Sequence, residues 1–203
     1  LQIIENSVDQ VHTGILHGAG SGERRHVYGL GIPEVSWEED DYGIISTQKR
    51  GNYVRVSHFV MPTINILAEP WPAGFRWPRM GAHFRTPVDD FHTLFFSVTF
   101  TPYVNGQAPD LPEGVTFDKT EQLHNHRLQD YQAIVSQGGI FDRTIEKLGT
   151  SDRGVALLRK MVMKEIQAVH RGKDPKGVRR TGDEHVLVDF GQIVVDSLMN
   201  AAA

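Results

Sequence analysis

Apolar positions along the chain change their period twice. Over residues 2–17, Ile3, Ile4, Val8, Val11, Ile15 and Leu16 return at helical spacing, which predicts one helix on the 3.6-residue repeat. Gly18, Gly20 and Gly22 then stop it, because glycine accepts the positive φ that follows a last turn. Residues 34–69 switch to β-branched and alternating stretches. Strands are expected over 42–47, 52–60 and 63–68, with a tight turn at Lys49–Asn52 joining the first two. Pro70, Pro72 and Pro78 punctuate the chain before a shorter strand over 81–85 and a long one over 92–100. Residues 105–120 are polar and rich in Pro and Gly, hence a loop. Helical spacing returns over 121–137 and most clearly over 152–170. There Val155, Leu158, Met161, Val162, Ile166 and Val169 are expected to line one face, with Ser151 as N-cap and Gly172 just past the end. Helix, strands, then helices predicts an α+β fold: an antiparallel sheet with helices on one side.

Composition narrows the function classes. Of the 203 residues 39% are hydrophobic, enough for a real core, and the formal net charge is -4. That balance gives no basic footprint for nucleic acid and no polybasic patch for a membrane surface. No apolar run reaches the length of a membrane span and no signal peptide opens the chain. A soluble, cytoplasmic protein is the expectation. Cysteine is absent, which removes disulfides, thiolate metal sites, a Cys nucleophile and thiolate-held iron–sulfur clusters from these residues. The chain opens on Leu1 inside a helical pattern and closes on Ala201, Ala202 and Ala203, and reads as a piece of a longer polypeptide.

The first helix carries the candidate chemistry. Asp9 and His12 are three apart and share a face. His12 and His17 are five apart, about 140° round an ideal helix, which is poor for a shared metal. Gly14 would let the helix distort, and His17 lies at its loose C-terminal end. A zinc-protease helix would place its His pair four apart with Glu after the first, whereas Thr13 follows His12. Two imidazoles with one carboxylate and open positions suit non-haem Fe(II). Spacing by itself favours the plainer reading, in which both imidazoles belong to a polar helix face or are hydrogen-bonded in a core.

Longer motifs change that balance. The run Glu5-Asn-Ser-Val-Asp-Gln-Val-His-Thr-Gly-Ile-Leu-His17 resembles the iron-ligand signature of Rieske non-haem iron aromatic ring-hydroxylating oxygenase α subunits, in which an Asp precedes a His-x4-His pair by three residues. The block from Gln129-Asp-Tyr-Gln to Glu146-Lys-Leu-Gly-Thr-Ser-Asp152 resembles the phthalate dioxygenase and aromatic O-demethylase branch. So do Arg171-Gly-Lys-Asp-Pro175 and Thr86-Pro-Val-Asp-Asp-Phe-His-Thr93. Residues 183–200 match nothing in that pattern.

The resemblance implies a helix-grip fold, with an antiparallel sheet wrapped around helices, as the C-terminal catalytic domain over 1–203. It implies His12, His17 and Asp130 as ligands of one mononuclear Fe(II). Asp9 would be the electron-transfer bridge to a Rieske 2Fe-2S cluster in the neighbouring subunit of a homotrimer, and Asn6 would line the iron pocket. Electrons would come from NAD(P)H through a ferredoxin or reductase component, and dioxygen would be used to hydroxylate or O-demethylate an aromatic, carboxylated substrate. A Rieske centre needs two Cys and two His, so the cluster domain must lie outside this chain. Alternatives stay open. Asp142 rivals Asp130, with Asp89 and Asp90 behind it. Asp130 and Asp9 could be surface charges. Arg143, Glu146 and Asp152 read as ion pairs and caps, and His83, His92, His124 and His126 as spare imidazoles. Val54, Val56, Phe84, Phe95 and Val98 are candidate pocket walls that serve equally as core. Two other functional classes stay open: a non-catalytic helix-grip module binding a small apolar molecule, without metal, and a structural or interaction subunit in which His12 and His17 share no geometry.

Overall fold

The computed structural model describes residues 1–18, 31–69, 79–100 and 126–181; of residues 69, 79, 99, 100, 126 and 127 only the backbone is described. Six strands lie among them: β1 (Glu34–Glu39), β2 (Gly43–Arg50), β3 (Tyr53–Val60), β4 (Ile64–Glu69), β5 (Arg79–Pro87) and β6 (Thr93–Phe100). They form one antiparallel sheet in sequence order, a meander in which each strand pairs with the next. Arg50 pairs with Tyr53, so Gly51 and Asn52 alone make the turn expected there. Helices are α1 (Gln2–Glu5), α2 (His12–Leu16), α3 (His126–Val135) and α4 (Arg153–His170). This is the expected α+β helix-grip arrangement.

The single helix expected over 2–17 is instead two short ones. Asp9 Oδ1 accepts the amides of Val11 (3.1 Å) and His12 (3.2 Å), which offers the backbone an alternative to continuous helix. Ser7, Val8 and Gln10 are all buried, and each is held by a different partner: Ser7 Oγ by Arg85, Val8 O by Trp37 and the Gln10 amide by Ser46. These tertiary contacts override the local period.

Helix α4 holds the apolar core against one end of the sheet. Val155, Leu158 and Met161 pack with Val8, Ile44, Phe59 and Met61. The Trp37 indole donates to Val8 O at 2.8 Å and lies against Gly154, where a Cβ would stand 2.1 Å from Nε1. The core stripe ends sooner than the pattern predicts. Ile166 and Val169 are 45% and 53% exposed, and Glu165 takes the inward position, accepting the Lys176 amide at 2.8 Å. The expected cap at Ser151 is also displaced. Asp152 occupies the N-cap position, and its carboxylate turns back to the Gly149 amide at 2.7 Å. Ahead of it, Arg143 and Arg159 share Glu5 and Glu146, the ion pairs expected of these residues, and tie α1 to α4. Helix α3 covers His126–Val135 of the expected 121–137 helix and ends two residues early in a turn; residues 121–125 lie outside the described residues.

Candidate metal centre

The break between α1 and α2 positions the first two site residues. His12 opens α2, and His17 is its C-cap residue at φ -96°. Because His17 sits beyond the last regular turn, the 140° separation does not apply. The two rings meet edge to face, with centroids 5.4 Å apart. Gly14 serves a different purpose from the distortion expected of it. A Cβ there would stand 2.6 Å from Gly31 O, so the residue is needed where α2 passes close to that backbone. Beneath α2 runs a buried polar rail. Gln10 donates to Ser46 (3.1 Å), Gln48 donates to Gln10 (2.8 Å), and Arg50 donates to Gln48 (2.6 Å) and Thr13 (2.5 Å). It fixes α2 on the sheet.

Helix α3 brings Asp130 to the same place. Its Oδ1 is 3.1 Å from His17 Nε2 and 3.4 Å from His12 Nε2. One ligand atom from each of the three lies within 4.8 Å of the others. Yet Oδ1 is buried and makes no aligned hydrogen bond. The outer nitrogens explain the orientation. His12 Nδ1 meets the Asp9 carbonyl oxygen, and His17 Nδ1 meets Gln129 Oε1 at 2.7 Å. Both acceptors require Nδ1–H, which leaves the Nε2 lone pairs facing Asp130. Such outer hydrogen bonds set the tautomer of metal-bound imidazoles. An orphaned carboxylate oxygen facing two Nε2 lone pairs is therefore a donor set that fits a divalent metal.

Charge in the cluster follows from burial and neighbours. Without a metal, burial opposes the Asp130 carboxylate, but His12 and His17 outweigh it and hold Asp130 well below the ordinary carboxylate range. Burial likewise pulls His12 down, while Asp130 and Asp9 lift it to about 9. Asp9 is partly buried, and His12 holds its carboxyl low against burial. Its Oδ2 is 3.6 Å from His12 Nδ1. Asn6 Nδ2 lies 3.4 Å from His12 Nε2.

The rival acids lie elsewhere. Asp142 is exposed and caps a short 3-10 turn through Thr144 (2.9 Å). Asp89 is exposed and caps the β5–β6 turn through Phe91, His92 and the His92 ring. Asp90 and His83 line the adjoining cavity but are not in the cluster. His124 lies outside the described residues, and the side chain of His126 is not described.

A cavity of about 1240 Å³ opens beside the His12–His17–Asp130 cluster. Its sheet wall contains Arg55, Asn65, His83, Arg85, Phe95 and Ser97, all on one face of β3–β6. Of the expected apolar walls only Phe95 lines it. Val54, Val56, Phe84 and Val98 point to the opposite face, where Val56 packs with Ala68, Ile45 and Ile66. Apolar alternation marks the outward side of these strands, and the polar side is the one turned toward the helices. Gln129, Arg85 and the Gln10–Gln48–Arg50 rail were not singled out by sequence. Only Gln129 carried a signal, its place beside Asp130.

No family model matches the chain. The oxygenase subunit of 5,5'-dehydrodivanillate O-demethylase from Sphingobium sp. is 30% identical over 98% of this chain and 49% of its own length. The alpha subunit of phenoxybenzoate dioxygenase from Ectopseudomonas oleovorans is 31% identical over 88% and 45%. The oxygenase subunit of tert-butanol monooxygenase / tert-amyl alcohol desaturase from Aquincola tertiaricarbonis is 28% identical over 88% and 44%. The chain thus spans about half the length of the curated relatives it matches. With near-complete coverage by O-demethylase and dioxygenase subunits, and a His/His/Asp cluster at the motif that resembles theirs, this chain belongs to the family of Rieske-type aromatic ring-hydroxylating and O-demethylating oxygenase α subunits.

Proposed function

We propose that residues 1–203 are the mononuclear-iron catalytic domain of an oxygenase whose Rieske 2Fe-2S domain lies in another part of the same polypeptide. His12 and His17 through Nε2, with Asp130 through Oδ1, would hold one Fe(II). The observation that carries this reading is the convergence of these atoms within 4.8 Å, with Oδ1 lacking a hydrogen bond and both Nδ1 atoms turned to oxygen acceptors. A two-His, one-carboxylate set with open positions suits a non-haem Fe(II), which when bound supplies dioxygen activation.

The chain's own groups supply the rest. The Asp9 carbonyl and Gln129 hold the imidazoles in one tautomer and orientation. The cavity beside the cluster receives an aromatic, carboxylated substrate for hydroxylation or O-demethylation, a class supported by the names dehydrodivanillate and phenoxybenzoate among the relatives. The Asp9 carboxylate, 32% exposed and beside His12, is suited to link this site to the cluster of a neighbouring subunit in a trimer fed by a NAD(P)H reductase. No helix among the described residues is long and apolar enough to cross a membrane. A metal-free binding module would leave the convergence of three ligand atoms without a purpose.

Metal analysis of the purified full-length protein tests the reading. One mononuclear iron per chain beyond the cluster iron is expected, lost in His12→Ala and Asp130→Ala while the fold is kept. A folded wild-type protein that takes up no Fe(II) at this site would overturn it.

A further inference from the structure

Arg85 is a buried cation without a salt-bridge partner among the described residues. The residue is 4% exposed and lines the cavity. Nη1 donates to Ser7 Oγ at 2.5 Å, and the guanidinium carbon stands 5.5 Å from the Phe95 ring centroid. Nε is buried without a hydrogen-bond partner, and no carboxylate among the described residues forms a salt bridge with Arg85. A buried charge is costly unless paired and hydrogen-bonded. Arg143, which also lines the cavity, is balanced by Glu5 and Glu146. Asp130 is the one acid whose charge supports Arg85, and in the function proposed above that carboxylate is taken up by the metal.

The surroundings are matched to an anionic oxygen group on a flat ring. Arg85 sits opposite Phe95 in the β5–β6 register, which places apolar aromatic surface beside the guanidinium. The next row across the same face is Asn65, His83 and Ser97, and the Asn65 Oδ1 and Ser97 Oγ atoms are buried without partners. A hydroxyl donor and a planar guanidinium edge suit a carboxylate, which Arg recognises through two parallel bonds where Lys offers only a point charge.

We infer that Arg85 is the specificity-determining residue of the cavity: it receives the carboxylate of an aromatic substrate on the guanidinium edge left free by Ser7, while the ring lies against Phe95. The inference rests on the oxygenase reading for its substrate class, and its test is separable from that reading. Full-length protein would be titrated calorimetrically with benzoate, anisate and phenoxybenzoate, each against its primary amide, and the iron content of every preparation measured alongside. Wild type should bind the carboxylate form of at least one pair roughly 10- to 100-fold more tightly than its amide. Arg85→Met should lose that preference, Arg85→Lys should keep part of it, and Arg85→Gln, which keeps a donor for Ser7, should lose it with the fold intact. A purely structural Arg85 would change stability and leave the acid-to-amide ratio alone. Equal binding of acid and amide by wild type, no binding of any carboxylate at millimolar concentration, or a ratio preserved in Arg85→Gln would overturn the inference. Iron bound without acid preference refutes Arg85 alone; acid preference without iron refutes the metal reading alone.

Discussion

Replacing Gln129 with leucine separates metal binding from folding, because the two states of the site use His17 differently. Gln129 Oε1 accepts from His17 Nδ1 at 2.7 Å, and His17 is 6% exposed. With metal on Nε2, the proton must sit on Nδ1, and a leucine side chain in place of the amide would leave it buried without an acceptor. A buried unsatisfied donor costs about 1–3 kcal/mol, which corresponds to roughly 10- to 100-fold in metal affinity, the range found for outer partners of metal-bound His. Without metal the imidazole can change tautomer and donate from Nε2 to Asp130, 3.1 Å away, so the metal-free fold should lose little. Gln129→Glu keeps an acceptor and should hold metal at least as tightly. The assay is anaerobic competition for Fe(II) against a chromophoric chelator, with thermal unfolding of the metal-free protein alongside. Gln129→Leu binding within about threefold of wild type, or losing as much fold stability as metal affinity, would refute the argument.

Three further outcomes follow from packing and charge. Leu158 is fully buried in the core under α4, so Leu158→Ala should cost about 2–5 kcal/mol in urea unfolding; a loss under half a kcal/mol would mean that α4 does not anchor the fold. Gln48→Leu strands Gln10 Oε1 and one Arg50 donor in the buried rail and should cost about 2–4 kcal/mol, with metal affinity falling too because α2 rests on that rail; unchanged urea midpoints would contradict it. In the metal-free protein His12 is held at about 9, above the ordinary 6.5, so its protonation stabilises the fold fully below about 6.5 and that contribution is lost as pH rises through 9. Metal must displace this proton, so affinity should rise with pH up to about 9, and uptake near neutral pH should release a proton, read by calorimetry in buffers of different ionisation heat. Uptake with no proton release would show that His12 is already neutral.

The sheet was legible because its pattern is local. Five of the six strands follow from alternation and turn residues, and the Gly51–Asn52 turn falls where the sequence puts it. The first helix was misread because period alone cannot register Asp9 capping the amides of Val11 and His12, or three tertiary anchors at Ser7, Val8 and Gln10. His12, His17 and Asp130 follow from motifs, not geometry, and the C-terminal end of α2 supplies what spacing lacks: as the C-cap residue, His17 is released from the 140° constraint. Gln129 is legible in sequence only as the neighbour of Asp130 in the Gln-Asp pair; that its side-chain oxygen meets the His17 imidazole is visible only in three dimensions.

The misplaced pocket wall has a more general cause. Alternation identifies which strand residues share a face, and the usual rule then assigns the apolar set to the inside. That rule holds where the inside is a dry core, as at the α4 end, where Ile44 and Phe59 meet Leu158. It inverts where the inside is a binding cavity, because a cavity built to orient a polar molecule keeps polar groups on its wall. On β3–β6 the cavity wall is mostly polar, Arg55, Asn65, His83, Arg85 and Ser97 beside Leu67 and Phe95, and most of the apolar set faces away. One sheet face therefore passes from apolar to polar between the α4 end and the His12–His17–Asp130 cluster, and the crossover marks where folding gives way to recognition. Substituting apolar residues of equal size along the polar row should accordingly be tolerated by the fold and felt by the ligand. In full-length protein Asn65→Leu should hold its unfolding midpoint while weakening benzoate-class binding, because the buried Oδ1 has no protein partner to lose. A large loss of stability in Asn65→Leu would show that the polar row supports the fold itself.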